Sequence, residues 1–176
     1  VPFRTKNFAI GHRIEHPQKL INMAQWGRES LPGVKAAEYR LSTKTKSGLP
    51  VYTFCMCPGG NVVPAAAFDQ KSVVNGMSYY RRDGAFSNAG CVAGVHPDML
   101  LGHTCTPLEI LDWMDALEAG YYAFANSYII PANKALDYMK KRESRDLGAG
   151  SYPLGLQSAP LYDMIHEKVQ NALTEG

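Results

Sequence analysis

Apolar and polar positions alternate at the start of the chain. Phe8, Ile10, His12 and Ile14 fall on one phase, and Ala9, Gly11, Arg13 and Glu15 on the other. That is the period of a half-buried strand. His16-Pro17 stops it, and Pro17 suits the first turn of a helix reaching Trp26, with Leu20, Ile21 and Ala24 on its apolar face and Gly27 as its stop. Residues 28–37 read as a loop, 37–43 as a second alternating strand, and 44–48 as a polar turn. Residues 50–57 are apolar on both phases, which predicts a central strand covered on both sides. Further strands are expected at 61–66, 72–77 and 89–95. Gly90 and Gly94 leave the last one thin, which predicts a backbone packed close against a neighbour.

The period changes in the second half. Thr106-Pro107-Leu108-Glu109 is a capping-box signature and predicts a long helix to Asn126. Pro131 is expected to open another helix, ending at Arg142, with a loop over 143–157. Ser158-Ala159-Pro160 is expected to start the last helix, on which Leu161, Ile165, Val169 and Leu173 recur every four residues. Strands first and helices second indicate an α+β fold. The expectation is a mixed or antiparallel sheet of about five to six strands in the first half, with the helices of the second half packed on or beside it.

Composition narrows the class. The chain has 176 residues, 45% hydrophobic and 19% charged, which suits a single domain over 1–176. A formal charge of +2, with no basic stripe, argues against a nucleic-acid partner. No apolar run reaches about 18 residues, so no membrane-spanning helix is expected. Four cysteines without a disulfide framework, and no signal peptide, point to a reducing cytoplasmic compartment. The opening VPFRTKNFAIGHRIEH has no initiator Met and reads as part of a longer protein.

The candidate chemistry centres on FCMCPGGNVVPAA, residues 54–66. Cys57-Pro58-Gly59-Gly60 suits a type II turn, and so a hairpin joining 50–57 to 61–66. Three other readings stand beside it. Cys55 and Cys57 as a redox pair would lie on one strand face, roughly 6.5–7 Å apart at Cα, the far edge of disulfide geometry. A zinc site completed by Cys91, or by His103 and Cys105, lacks a CxxC or HxxxH pair. Gly59 and Gly60 could instead let a ligand approach backbone N–H groups beside a soft Cys/Met wall. Arg13, Glu15 and His16 read either as a strand-end ion-pair group or, with Glu15 and His16 as acid and base, as a pocket rim. Asn75-Gly76-Met77-Ser78 reads as a turn; Arg81 and Arg82 read as a solvated loop or an anion clamp. Gly148-Ala149-Gly150 is not a dinucleotide fingerprint, since no strand precedes it and Pro153 stands where the third glycine belongs.

Four stretches taken together carry a resemblance: KNFAIGHRIEHPQKLIN (6–22), VYTFCMCPGGNVVPAA (51–66), VVNGMSYYRRDGAFSNAG (73–90) and SYPLGLQSAPLYDMI (151–165). Over most of its length the chain resembles a bacterial family of uncharacterised FAD-dependent dehydrogenases. The resemblance implies that this chain is the second, substrate or cap domain of a flavoprotein whose Rossmann-type FAD domain lies outside it. FAD would be held in the full-length protein rather than by this fragment alone, with NAD(P)H a candidate hydride donor. The FAD-binding domain of the same parent chain and a small-molecule substrate are the implied partners, and an oligomer stays open. The motif-matching positions are Arg13, Glu15, His16, Cys55, Met56, Cys57, Pro58, Gly59, Gly60, Asn75, Gly76, Met77, Ser78, Arg82, Asp83 and Asn88. They are expected to face the flavin or the substrate, with Arg82 pairing an anionic group; no catalytic residue and no metal ligand is assigned. Two alternatives remain: a non-catalytic binding module that dimerises through the 158–175 helix, and a small thiol- or zinc-dependent protein.

Overall fold

The computed structural model describes residues 4–176. The first half supplies six strands: β1 (Phe8–Pro17), β2 (Ser42–Lys44), β3 (Pro50–Cys57), β4 (Gly60–Pro64), β5 (Val74–Ser78) and β6 (Phe86–Val95). They form two sheets. The larger is antiparallel, in the order β1-β6-β3-β2, and β4 pairs with β5 in a separate ribbon. The hairpin expected between 50–57 and 61–66 is therefore not a sheet pairing. The chain turns at Gly59, φ +53, and leaves the main sheet altogether.

Strand β6, not β3, is the buried centre. All its residues except Phe86 and Cys91 are buried. Its thinness has the anticipated cause: a Cβ at Gly90 would lie 2.4 Å from the Phe54 ring, and one at Gly94 2.9 Å from the Pro50 ring. Strand β3 is covered only in part, with Phe54 and Cys55 exposed. It is also irregular, because the register slips between Phe54 and Cys57 and Cys55 takes a left-handed φ of +46. The same-face geometry of Cys55 and Cys57 expected of a regular strand does not apply at such a bulge.

Five helices follow the strands or link them: α1 (Gln18–Trp26), α2 (Pro97–Leu101), α3 (Pro107–Ala125), α4 (Ala135–Met139) and α5 (Glu167–Glu175). Thr106 and Glu109 form the reciprocal capping box that starts α3, and Asn126 ends it in the left-handed conformation. Gly27 ends α1 in the same way. Yet α1 buries Gln18 and Asn22 and leaves Leu20 57% exposed, the reverse of the expected apolar face. Those two amides take up backbone groups of the following loop: Asn22 Oδ1 accepts from Ala37 N–H at 3.0 Å, and Gln18 Nε2 donates to Ala37 O at 2.9 Å. That engagement replaces strand pairing at the start of 37–43, so β2 begins only at Ser42.

Two expected helices shrink. Residues 130–132 form β7 (Ile130–Ala132), parallel to β8 (Leu156–Ser158), and only Ala135–Met139 is helical before the chain turns. Side chains compete with the helix there: Ser144 Oγ accepts from Lys134 N–H at 2.8 Å and donates to Asp137, which also receives Arg142. The last helix starts at Glu167 rather than near Ser158, because 156–158 is strand and 161–165 is turn. Ile165, Val169 and Ala172 are buried with Val51, Ala93, Val95 and Ile110, so α5 and α3 close one face of the main sheet. That face of α5 is spent inside the chain. No helix among the described residues is long and apolar enough to cross a membrane.

Candidate functional site

Strand β1 is an edge strand, and every residue from Ala9 to Glu15 lines a cleft of about 840 Å³. The opposite walls come from the β4–β5 ribbon (Val62, Val74, Asn75), from α3 (Trp113, Leu117, Tyr121), and from the segment around β7, α4 and β8 (Ala132, Tyr138, Leu156). An edge that faces a walled cleft explains why both phases of β1 take part.

Three side-chain atoms in these walls are buried and have no hydrogen-bond partner among the described residues: His12 Nε2, Ser72 Oγ and Tyr138 Oη. His12 meets Tyr138 edge-on, with ring centroids 5.3 Å apart, and Tyr121 at 6.5 Å. Burial lowers the His12 pKa to about 4, so its imidazole is neutral at pH 7. Burial likewise pushes the Tyr121 and Tyr138 hydroxyls upward, so both stay protonated. An unmet buried polar group costs about 1–3 kcal/mol. Buried water is the usual partner of such a group where a polar recess has room for it.

Of the positions expected to face a flavin or substrate, Arg13, Glu15, Cys55 and Asn75 line this cleft, as does Cys91 from the zinc reading. Arg13 is held by neutral acceptors: Nη1 donates to Asn88 Oδ1 at 2.6 Å and to Cys55 O at 3.3 Å, and Nη2 to Asn75 Oδ1 at 3.0 Å. Asn88 is fully buried, and its Nδ2 has no partner among the described residues. Gly76 seals this group, since a Cβ there would lie 2.1 Å from Asn88 Oδ1 and 2.4 Å from Arg13 Nη1. Glu15 accepts from Ser151 N–H at 3.0 Å and from the Ser151 hydroxyl, while Ser151 Oγ accepts from Val62 N–H at 2.8 Å. Glu15 thus ties β1 to the 143–157 loop and, through Ser151, to β4.

The remaining candidates lie outside the cleft lining. His16 is engaged at both nitrogens, with Tyr39 Oη at 2.8 Å and Ser87 Oγ at 2.9 Å, and burial lowers its pKa. Pro58, Gly59 and Gly60 are buried. Gly59 N–H donates to Gln18 Oε1 at 2.6 Å, and a Cβ on Gly59 would lie 2.1 Å from Arg82 O. Ser78 Oγ donates to Pro58 O at 2.8 Å, and Gly84 N–H to Gly59 O at 3.2 Å. The two glycines, Ser78 and the Arg82-Asp83-Gly84 loop therefore pack on one another backbone to backbone. Arg82 reaches Glu38 at 3.4 Å on the surface, and Asp83 pairs with Arg81 at 3.0 Å. Met77 is exposed, and Met56 and Cys57 are half-buried. Among the described residues no three His, Cys, Asp or Glu side chains gather as a metal site, so the Cys55/Cys57 set with Cys91, or with His103 and Cys105, is not assembled. All four cysteines are free, and burial pushes the Cys91 and Cys105 thiols up.

Sequence reasoning missed His12, Ser72, Tyr121 and Tyr138. The signal for His12 was present: a polar ring on the apolar phase of β1. The two tyrosines sit on helices whose approach to β1 no periodicity reveals. It also missed Gln18, which links the two most distinctive motifs, RIEHPQ and CPGG, through Gly59.

A flavin dinucleotide would ask two things of this chain. Its diphosphate wants free helix-N-terminal N–H groups or cations. The start of α3 is instead satisfied by Thr106 and by the Glu109 carboxylate, which repels an anion. Its reacting end, or a substrate of similar size, wants an apolar slot with a few unmet polar atoms. The cleft fits the second demand, and the start of α3 does not meet the first.

A family described as "FAD-dependent protein, C-terminal domain-like" matches residues 7–176. A protein of Clostridium beijerinckii, described as an uncharacterized protein, is 40% identical over 183 residues, which cover 100% of this chain and 34% of that protein. The chain therefore spans about a third of the length of this relative.

Proposed function

The chain belongs to the FAD-dependent protein, C-terminal domain-like family, and from that premise we propose that it is the substrate-covering domain of a flavin oxidoreductase. The observation that carries the reading is the cleft along β1, with its apolar walls and the unpartnered atoms of His12, Ser72 and Tyr138. The flavin, bound elsewhere in the parent protein, supplies the redox chemistry; protein around it supplies orientation, electrostatics and exclusion of water. In this chain those tasks fall to named residues. Trp113, Leu117 and Tyr121 exclude water, neutral His12 and protonated Tyr138 orient a polar group, and Glu15 holds the walls together. NAD(P)H is the hydride donor in this reading.

The test uses the flavin-loaded parent protein. Ala135 is an exposed residue of the cleft rim, so Ala135→Trp obstructs the cleft without entering the core. The expected result is an unchanged flavin absorbance spectrum with NAD(P)H oxidation slowed about tenfold or more, about 1.4 kcal/mol of barrier. Oxidation at the unaltered rate, with the variant folded, would remove the cleft from the reaction and leave a non-catalytic module.

A further inference from the structure

We propose that Arg13 is the anion-recognition residue of the cleft and that its ligand is a small carboxylate with an apolar body. The inference rests on the reading of the cleft as a substrate site and names the substrate class.

Three observations lead to it. First, Arg13 lines the cleft, and none of the ion pairs among the described residues includes it. Its contacts are a backbone carbonyl and two amide oxygens, all uncharged. A half-buried guanidinium with only neutral partners keeps its full positive charge, and a partly desolvated cation is stabilised by an anion. Second, the contacts leave donors free. Nη1 is used twice and Nη2 once. Nε–H donates to none of the described residues and Nη2 keeps one of its two N–H groups, so donors remain for the charge-assisted hydrogen bonds a carboxylate makes with a guanidinium. Third, the group is held rigidly. Asn75 and Asn88 anchor it from two strands, and Gly76 leaves no slack around Asn88 Oδ1 and Arg13 Nη1. A cation fixed before binding loses little entropy when a ligand arrives.

The rest of the cleft sets the ligand's body. Two carboxylates also line it. Glu15 is occupied by Ser151, and Glu118 on α3 is not ion-paired with Arg13. Lys134 faces Asp146 at 3.7 Å. His12 is neutral. Arg13 is thus left as the cation without a counter-ion, among aromatic and aliphatic walls. A ring or short chain ending in one carboxylate matches that distribution; a dianion or a cation does not. Arg82, for which the sequence suggested an anion role, lies outside this cleft on the surface beside Glu38.

The probes are benzoate and its neutral isostere benzamide, titrated separately into the isotope-labelled full chain and followed by NMR. Benzoate is expected to bind about tenfold more tightly than benzamide, the scale of one charge-assisted pair, and to shift the Arg13 Nε–H resonance. In Arg13→Met the two probes should bind alike. Because that variant loses three hydrogen bonds, the wild-type comparison and the Nε–H shift stand without it. Equal binding of both probes at cleft residues overturns the carboxylate inference and leaves the cleft reading intact. Benzoate shifts confined to the Arg81–Arg82 surface overturn it as well. Binding by neither probe overturns both.

Discussion

Gly76 sits where a methyl group has no room. The Cβ of an alanine there would meet Asn88 Oδ1 at 2.1 Å, Arg13 Nη1 at 2.4 Å and Cys57 Sγ at 2.8 Å. Gly76→Ala should therefore destabilise the fold by about 1–3 kcal/mol, the cost of overpacking a close contact, read as a lower urea midpoint. It should also displace the Arg13 guanidinium. His12 gives the second residue-scale expectation. In the unfolded chain it takes up a proton as pH falls below 6.5; in the folded chain it resists until about 4. The unfolded state thus binds more protons between these values, and stability falls as pH drops from 6.5 toward 4. The full effect is about 3 kcal/mol at 1.36 kcal/mol per pKa unit. His16, also lowered, acts in the same direction. Urea midpoints across this range should flatten in His12→Phe; an unchanged slope would mean that His12 titrates as in water. At this scale the sequence was informative about identity and not about partners. Arg13, Asn75, Gly76 and Asn88 were all noticed, but that they form one group depends on β5 packing against β1 and β6 from a separate sheet, which no local pattern reports.

At the scale of elements, the thin stretch of β6 carries a sharper test. Gly90 is opposite Phe54 across the β3–β6 pair, and the Phe54 ring occupies the space a Cβ there would need. Gly90→Ala should cost about 1–3 kcal/mol by forcing the ring aside. In a Phe54→Ala background the same change should cost little, because the obstructing ring is gone. Such non-additivity is what a double-mutant cycle detects between touching residues; additive losses would show that Gly90 is needed for another reason. The glycines of β6 and the capping box of α3 were legible because their causes are local: a missing Cβ, and a threonine three residues before a glutamate. The helix expected at 131–142 and the early start expected for the last helix were misread for a common reason. Their periodic apolar residues are real, but Asn133, Asp137 and Ser144 bind nearby backbone and one another, and the 156–158 segment finds a parallel partner in 130–132. Helix α1 reversed its expected face because two buried amides serve the 29–37 loop better than water would.

For the molecule as a whole, the cleft exists only because segments far apart in the chain meet at the edge of β1. Glu15 and Ser151 are the joint: the carboxylate receives the Ser151 amide and hydroxyl, and Ser151 in turn receives the Val62 amide. One side chain thereby links β1, the 143–157 loop and β4. Sequence reasoning read Glu15 either as part of a strand-end ion-pair group with Arg13 or as an acid or base beside His16, since nothing in the chain advertises a bond spanning 136 positions. The joint has a measurable signature. In Glu15→Ala the Ser151 amide loses its acceptor and the loop loses its tether, while the core around Val51, Ala93 and Val169 is untouched. Amide exchange at Ser151 should accelerate about tenfold or more, equivalent to losing about 1.4 kcal/mol of local protection, with core amides of β6 unchanged. Limited proteolysis should then cut first within 143–157. Glu15→Gln keeps one acceptor oxygen and should fall between the two. If Ser151 exchanges at the wild-type rate in Glu15→Ala, the loop is held by something else, and the cleft's walls do not depend on this carboxylate.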